Sequence, residues 1–186
     1  MTTHAQWVAF YTIVIKEILR FSRIWKQTIL PATITTTLYF LIFGQLIGSA
    51  IGEMDGIAYH NFIVPGLIMM SVISNAYGNT VASFFSSKFH GHIEELIVSP
   101  VPNYIILLGF MGGGIARGLA VGLAVTLVTF FFTDLSIHNG FITISIVVLT
   151  AALFSLFGIL NGLFAKNFDD ISIVPNFVLM PLSYLG

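Results

Sequence analysis

The 186-residue sequence contains no cysteine and very little charge. Without cysteine, the chain forms neither disulfides nor thiolate metal sites. Only 8% of its residues are charged and 56% are hydrophobic, whereas an ordinary soluble domain has about 25% charged residues. The formal net charge of −1 is too small to indicate a nucleic-acid partner. These properties predict an integral membrane protein whose main partner is the lipid bilayer.

The sequence also lacks the motifs of nucleotide-hydrolysing and hydrolytic enzymes. It has no G-x-x-x-x-G-K-[ST] phosphate loop, no G-x-S-x-G elbow and no H-E-x-x-H pair. We therefore predict a chain that is not an enzyme, has no catalytic residues and carries no cofactor. His90 and Glu94 would share one face of a helix and could hold a metal there, but their spacing matches no specific ligand motif. We predict no metal site.

Long apolar runs fill most of the sequence. A helix needs roughly 20 apolar residues to cross a bilayer core about 30 Å thick. Four stretches reach that length, at residues 29–49, 62–85, 105–132 and 141–165. A fifth run occupies residues 171–186 and would extend about 24 Å as a helix, which is short of a full crossing. We predict an all-α, polytopic transmembrane helix bundle that forms a single domain over residues 1–186, with an incomplete fifth span.

The first segment, about residues 5–27, is amphipathic. Polar side chains recur in it at three- and four-residue steps, at Lys16, Arg20, Arg23 and Gln27. We predict a helix that lies in the membrane interface with this polar face toward water, since a short first span would place its cations at an energetic cost near the bilayer centre. No small-residue cleavage site follows the segment, so we expect it to be retained rather than removed as a signal peptide.

Basic residues lie on one side of the predicted spans. Six of them flank the spans on that side, at Lys16, Arg20, Arg23, Lys26, Lys88 and Lys166. The loops on the other side, residues 50–61 and 133–140, contain Glu53, Asp55 and Asp134 and no Lys or Arg. Because cytoplasmic loops carry the excess of Lys and Arg, we predict a cytoplasmic amino terminus.

The stretch "HIEELIVSPVP" (92–102) lies between the second and third predicted spans. We predict a short cytoplasmic helix there, ended by prolines and apolar along Ile93, Leu96 and Ile97. Such a face fits a groove on a partner protein, with Glu94 and Glu95 paired to the partner's cations or left in water. The alternative, a helix lying on the headgroups, is disfavoured because anionic lipid would repel the two glutamates.

Arg117 is a charge within an apolar run, in "GFMGGGIARGLAVGLAV". Such a residue is a functional candidate because a charge within the bilayer is costly. Alternatively, residues 103–114 form a cytoplasmic entry helix, the span begins near Ile115, and Arg117 reaches the headgroups. The predicted spans supply no carboxylate as its partner, which counts against a proton-relay carrier.

The same run carries small residues at four-residue steps, Gly114, Gly118 and Gly122. This register lets two helix backbones approach closely, and the neighbour is either in the same chain or in another copy. In the second span, Pro65, Asn75 and Asn79 interrupt an apolar face, which favours a kink and hydrogen bonds between helices.

Taken together, these stretches resemble the membrane subunit of an ABC-2 type exporter, and within that family the YadH-like bacterial inner-membrane permeases. The matching segments are "LYFLIFGQLIG" (38–48), "FIVPGLIMMSVISNAYGN" (62–79), "IEELIVSPVP" (93–102), "GGGIARGL" (112–119) and "LNGLFAKNFDDISIVPNFVLMPLSYLG" (160–186). The piece "IEELIVSPVP" is the most specific of them.

The resemblance implies a permease with six spans per subunit that forms a homodimer, binds a separate ATPase subunit on the cytoplasmic side, and exports a hydrophobic or amphipathic substrate across the bacterial inner membrane. It also implies that the cytoplasmic helix couples the permease to the ATPase, through Gly91, His92, Ile93, Glu94, Glu95, Leu96 and Ile97. Family members continue beyond "PLSYLG", so we expect a C-terminally incomplete permease. Two alternatives are a non-functional truncated permease and a stand-alone channel or secondary carrier with Arg117 in its path.

Overall fold

A computed structural model describes residues 3–42, 53–54, 57–133 and 139–183. These residues are mostly helical. The helices are α1 (Thr3–Arg23), α2 (Trp25–Tyr39), α3 (Tyr59–Phe89), α4 (His92–Val98), α5 (Asn103–Thr129), α6 (Gly140–Phe164), α7 (Asp170–Val174) and α8 (Met180–Ser183), with a π-helical turn at Pro175–Leu179. Two strands, β1 (Glu53–Met54) and β2 (Ile57–Ala58), pair antiparallel with Glu53 opposite Ala58. The predicted all-α membrane helix bundle is confirmed.

Three helices in the described part of the chain are long and apolar enough to cross a membrane. They comprise Phe62–Phe89 within α3, Asn103–Thr129 and Gly140–Phe164. The predicted spans 62–85, 105–132 and 141–165 overlap these helices. α5 continues unbroken from Asn103 past Ile115, so the structure has no separate entry helix before Arg117.

The first predicted span, residues 29–49, begins inside α2, which starts earlier at Trp25 and continues through Pro31. Residues 43–49 of this span lie outside the described residues, as do Asp55 and Asp134 of the predicted outer loops. The fifth apolar run corresponds to α7, the π-helical turn and α8, up to residue 183.

Helix α5 lies at the centre of the bundle. It contacts α1, α2, α3 and α6, while α3 also packs along α6. Its buried positions include Gly109, Gly113, Gly118 and Val121, which face neighbouring helices on more than one side. α1 therefore packs against the central membrane helix through one face, and the helix itself ends at Arg23.

Candidate functional site: the α4 surface and a buried polar cluster

Helix α4 is joined to α3 by a tight turn at Gly91. The backbone of Gly91 has φ of 78°, in the left-handed region where a side chain is strained. The turn is closed by the amide of His90, which donates to the carbonyl of Ser86 at 3.1 Å, and by that of Gly91, which donates to Lys88 at 3.1 Å. Glycine in this position is a common way to end a helix, so α4 follows α3 without a flexible linker.

The apolar residues of α4 divide between two faces. Ile93 is buried in a hydrophobic cluster with Ile13 of α1, Phe110 of α5 and Ile159 of α6, and Leu96 packs against the same cluster. Of the predicted apolar face, Ile93 is therefore covered by the chain's own helices, Leu96 is partly covered, and Ile97 remains exposed. Burial against the chain's own helices removes the same apolar area from water that partner docking would remove.

The outward surface of α4 consists of other residues. Its exposed side chains are His92, Glu94, Glu95, Ile97 and Val98. Ile97 is 58% exposed and Val98 is 87% exposed. Two carboxylates and two aliphatic side chains thus share one short surface, which we call the α4 surface. The coupling role of this segment stays a prediction.

The C-terminal end of α4 is fixed as well. Ser99 is extended, with ψ of 156°, and its hydroxyl donates to the carbonyl of Leu96 at 2.6 Å. Pro102 then precedes the first residue of α5 with φ of −61°. Because proline fixes φ and ends the preceding helix, little conformational freedom separates α4 from α5.

A buried ion pair on α1 faces α3. Glu17 is fully buried, and its Oε2 accepts from Nη2 of Arg20 at 3.0 Å. Its second oxygen, Oε1, accepts from the hydroxyl of Ser83 on α3 at 2.7 Å. Both carboxylate oxygens are therefore paired, which offsets the cost of taking the charge out of water.

Arg20 links the pair to α3 a second time. Its Nη2 also donates to Oδ1 of Asn79 at 2.8 Å and to the backbone carbonyl of Asn79 at 3.2 Å. The Arg20 side chain is 33% exposed, so it keeps some access to solvent while it bonds to α3. We define Glu17, Arg20, Asn79 and Ser83 as the polar cluster.

The sequence does contain a signal for this cluster. Glu17 stands three residues before Arg20, a spacing at which oppositely charged side chains meet on a helix. The amphipathic pattern assigns Arg20 to a polar face and says nothing of Glu17, because the burial of Glu17 against α3 depends on tertiary packing. The bundle interior thus contains a carboxylate, which comes from α1 and not from the predicted spans.

Arg117 does not join this ion pair in the structure. Its Nε is buried without a hydrogen-bond partner among the described residues, as are Nδ2 of Asn79 and Oγ of Ser155. Arg20 is close enough to Arg117 for their like charges to interact. Arg117 therefore lies in the same polar region of the bundle as the cluster, and its proposed role in a transport path stays a prediction.

The glycines at four-residue steps in α5 face helices of the same chain. A Cβ on Gly114 would overlap the hydroxyls of Thr80 and Ser155. A Cβ on Gly118 would lie 3.0 Å from the Cβ of Ala76, and one on Gly122 would lie 2.6 Å from Cγ2 of Val72. The three glycines thus allow α5 to approach α3, with Gly114 also facing α6, which resolves whether the neighbour is intramolecular.

Other close approaches were not predicted from the sequence. A Cβ on Gly109 would lie 2.6 Å from Cγ2 of Ile13, and one on Gly113 would overlap the Glu17 side chain. On α6, a Cβ on Gly158 would lie 2.7 Å from the carbonyl of Tyr77. Glycine therefore shapes the contacts of α5 with α1 and of α6 with α3 as well.

Two charged side chains form hydrogen bonds with backbone groups at the end of α6 and in the turn that follows it. Nζ of Lys88 donates to the carbonyls of Leu163 and Ala165 at 2.6 and 2.9 Å, which satisfies acceptors at the end of α6. Oδ2 of Asp170 accepts from the backbone amides of Lys166 and Asn167 at 2.8 and 3.1 Å. These backbone hydrogen bonds lower the pKa of Asp170 because they favour its ionised form.

The histidines beside α4 are oriented by their neighbours. Nδ1 of His90 lies 2.7 Å from the carbonyl of Ser86, and the rings of His90 and His92 stack with centroids 6.1 Å apart. Within the described residues, no group of three or more His, Cys, Asp or Glu side chains is arranged to hold a metal ion.

Known proteins resemble this chain over nearly its full length. Residues 8–186 match the family described as ABC-2 type transporter. The inner membrane transport permease YadH of Escherichia coli (strain K12) is 60% identical over 183 residues, covering 98% of this chain and 72% of YadH. Nodulation protein J of Neorhizobium galegae is 19% identical over 181 residues, covering 97% of this chain and 68% of that protein. No solved structure matches the chain.

These matches agree with the three apolar helices long enough to span a membrane. The resemblance read from the sequence segments is confirmed, and it favours a permease over a stand-alone channel or carrier. The chain belongs to the ABC-2 type transporter family, as a multi-pass inner-membrane permease subunit of an ABC transporter.

Proposed function

We propose that this permease exports its substrate and is driven by a separate ATP-hydrolysing subunit that binds the α4 surface from the cytoplasm. Membership of the ABC-2 family supports such a partner in general. The observation that carries the proposal is the division of α4 into a face held by the bundle, Ile93 and Leu96, and an exposed face suited to a partner.

The chemistry of the α4 surface defines what it would bind. Ile97 and Val98 would enter an apolar groove, because their exposed aliphatic area is removed from water by docking. Glu94 and Glu95 would meet Lys or Arg side chains at the edge of that groove, which orients the partner more than it adds affinity. The partner surface is therefore expected to be an apolar groove with a basic rim.

The packing of α4 also provides a route for movement. Ile93 lies in one cluster with residues of α1, α5 and α6, so displacement of α4 would act on three helices at once. The turn at Gly91 and the prolines before α5 restrict the backbone on both sides of α4, so a displacement of α4 would be passed on to α3 and α5. ATP-driven closure of the partner would in this way change the relative tilt of the membrane helices.

The exposed carboxylates provide a direct test of docking. In the Glu94→Lys and Glu95→Lys double variant, we expect co-purified ATPase activity to fall at least tenfold, on the order expected for losing two charge contacts and gaining two repulsions. Asp169→Lys is the matched control, since Asp169 is exposed in the neighbouring loop after α6. Equal ATPase recovery with the double variant and the control would contradict docking at the α4 surface.

Orientation has a separate test because the chain has no cysteine. A single Val98→Cys variant places a thiol at an 87% exposed position. We expect a membrane-impermeant maleimide to label it in inside-out vesicles and not in right-side-out spheroplasts. Labelling in spheroplasts would place α4 outside the cytoplasm and exclude an ATPase partner there.

Export and homodimerisation are further parts of the proposal, supported by the family resemblance. Reconstituted permease and ATPase should move substrate only with ATP, away from the face that carries α4. Transport by the permease alone, without ATP, would instead support the channel or carrier alternative with Arg117 in its path. Crosslinking of Cys-containing variants of two differently tagged copies would measure homodimer formation.

A further inference from the structure

Two cavities lie side by side along α1 and share Lys16 and Arg20. The smaller one, about 320 Å³, is also lined by Ser83, Ser86, Ser87, His90 and His92 at the junction of α3 and α4. The larger one, about 580 Å³, is also lined by Thr12, Ile15, Leu19, Arg23 and Ile24. The polar cluster explains the fixed position of Arg20 but leaves both cavities without a function.

The smaller cavity has the chemistry of an anion site. Lys16 and the Nη1 group of Arg20 provide cationic donors, since the other donors of Arg20 and the hydroxyl of Ser83 belong to the polar cluster. The hydroxyls of Ser86 and Ser87 provide neutral donors, and the two imidazoles can donate when protonated. Among the residues that the structure describes, no carboxylate lines this cavity. Glu17 is close by, but it is fully buried and both of its oxygens are paired with Arg20 and Ser83. Lys and Arg with hydroxyl donors are typical ligands of phosphate.

The larger cavity has aliphatic residues in its lining, whereas the smaller one is lined by charged, hydroxyl and imidazole side chains. Ile15, Leu19 and Ile24 line the larger cavity. Its cations are Lys16 and Arg20, which also line the smaller cavity, and Arg23, which lines only the larger one. Trp7 and Tyr11 on the same helix are 64% and 58% exposed. Exposed Trp and Tyr side chains are enriched at the headgroup level of a membrane, so this part of α1 is suited to contact lipid.

We propose that the two cavities form one binding site for a phospholipid, with its phosphate in the smaller cavity and the beginning of an acyl chain in the larger one. The shared Lys16 and Arg20 stand where the polar and apolar parts of such a molecule meet. An inorganic phosphate would fill only the smaller cavity and leave the apolar groove unused. The cavity shares His92 with the α4 surface, but its binding test requires neither the ATPase partner nor transport.

Lipid binding to the purified chain tests this site without ATP or a partner. Native mass spectrometry in a non-ionic detergent would measure affinity for three probes: phosphatidylglycerol, monogalactosyl diacylglycerol, which has no phosphate, and inorganic phosphate. Lys16→Gln should weaken phosphatidylglycerol binding about tenfold, the effect expected for losing one charged hydrogen bond. His92→Asn should weaken it less, and Leu19→Gln should weaken binding of both lipids.

Lys26→Gln is the matched control. Lys26 is an exposed lysine over the ring of Trp25 and lines neither of the two cavities, so its loss should leave binding of all three probes unchanged. If Lys16→Gln and Lys26→Gln weaken phosphatidylglycerol binding equally, the proposed site is wrong. Binding of the galactolipid as tight as that of phosphatidylglycerol would overturn its phosphate selectivity. Inorganic phosphate binding as tight as phosphatidylglycerol, with the same loss in Lys16→Gln, would overturn the assignment to a lipid.

Discussion

Helix α3 packs against its neighbours through two chemically different interfaces. Toward α5 and α6 it meets glycines, and the contacts are made by backbone and small side chains. Toward α1 it meets the buried pair of Glu17 and Arg20, and the contacts are charged hydrogen bonds through Asn79 and Ser83.

The difference separates close packing from directional attachment. Glycine contacts depend on the shape of the two surfaces and tolerate no added volume, as expected where lipid tails provide no hydrophobic drive between helices. Charged hydrogen bonds fix the position of α1 at a few atoms and lose their energy when one partner is removed. Close packing thus joins α3 to α5 and α6, whereas the polar cluster attaches α1 to α3.

Filling the glycine interface should have the largest effect. Gly114→Leu would place a side chain where the Thr80 and Ser155 hydroxyls lie, and we expect a loss of about 3 kcal/mol in the free energy of unfolding. Thermal unfolding in detergent, followed by size-exclusion chromatography, measures this loss. The expected result is a lower Tm and a smaller monodisperse fraction.

The matched control for this variant is an alanine pair. A Cβ on Gly78 of α3 would meet no described atom within 4 Å, so Gly78→Ala should be neutral or stabilising, whereas Gly114→Ala should destabilise. Similar Tm values for the two alanine variants would show that close packing at Gly114 does not hold α5 against α3.

Breaking the polar cluster should have the second largest effect. Glu17→Gln removes the negative charge to which Arg20 and Ser83 donate hydrogen bonds. We expect the free energy of unfolding to fall by about 2 kcal/mol. Lys16→Gln, at the adjacent exposed position, should change stability by less than about 0.5 kcal/mol.

A double-mutant cycle measures whether Glu17 and Ser83 stabilise the protein through their contact between α1 and α3 or independently of each other. If Glu17 acts through Ser83, the Glu17→Gln and Ser83→Ala effects should be less than additive by about 0.5 kcal/mol or more. Fully additive effects would mean that the two side chains do not hold α1 and α3 together.

The sequence predicted the membrane helices better than it predicted their neighbours. A span needs only sufficient length and apolar character, and both can be read from a run such as residues 141–165. The four-residue glycine steps predicted close packing for the same reason, because small size is a local property. Which helix meets Gly114 depends on the assembled bundle.

The contacts of α1 and α4 that the sequence did not predict have a common physical cause. Burial of Ile93 on the chain's own helices and burial on a partner both satisfy the same hydrophobic pattern, so sequence alone does not separate them. Likewise, the pattern that places Arg20 on a polar face of α1 fits contact with water and contact with polar groups of α3 equally well. Only tertiary structure identifies the surface that each face contacts.

The smallest expected effect concerns the loop after α6, which lies outside both interfaces. Asp170 accepts two backbone hydrogen bonds there, and its lowered pKa means that its ionised form stabilises the folded loop. This contribution is fully present above the ordinary Asp pKa of about 4 and is lost as the pH falls through the lower folded-state pKa. Asp170→Asn should therefore lower Tm slightly at pH 7, and its difference from the unmodified chain should shrink in acid. Asp169→Asn is the control, and a Tm difference for Asp170→Asn that stayed constant with pH would mean that the carboxylate charge is not what holds the loop.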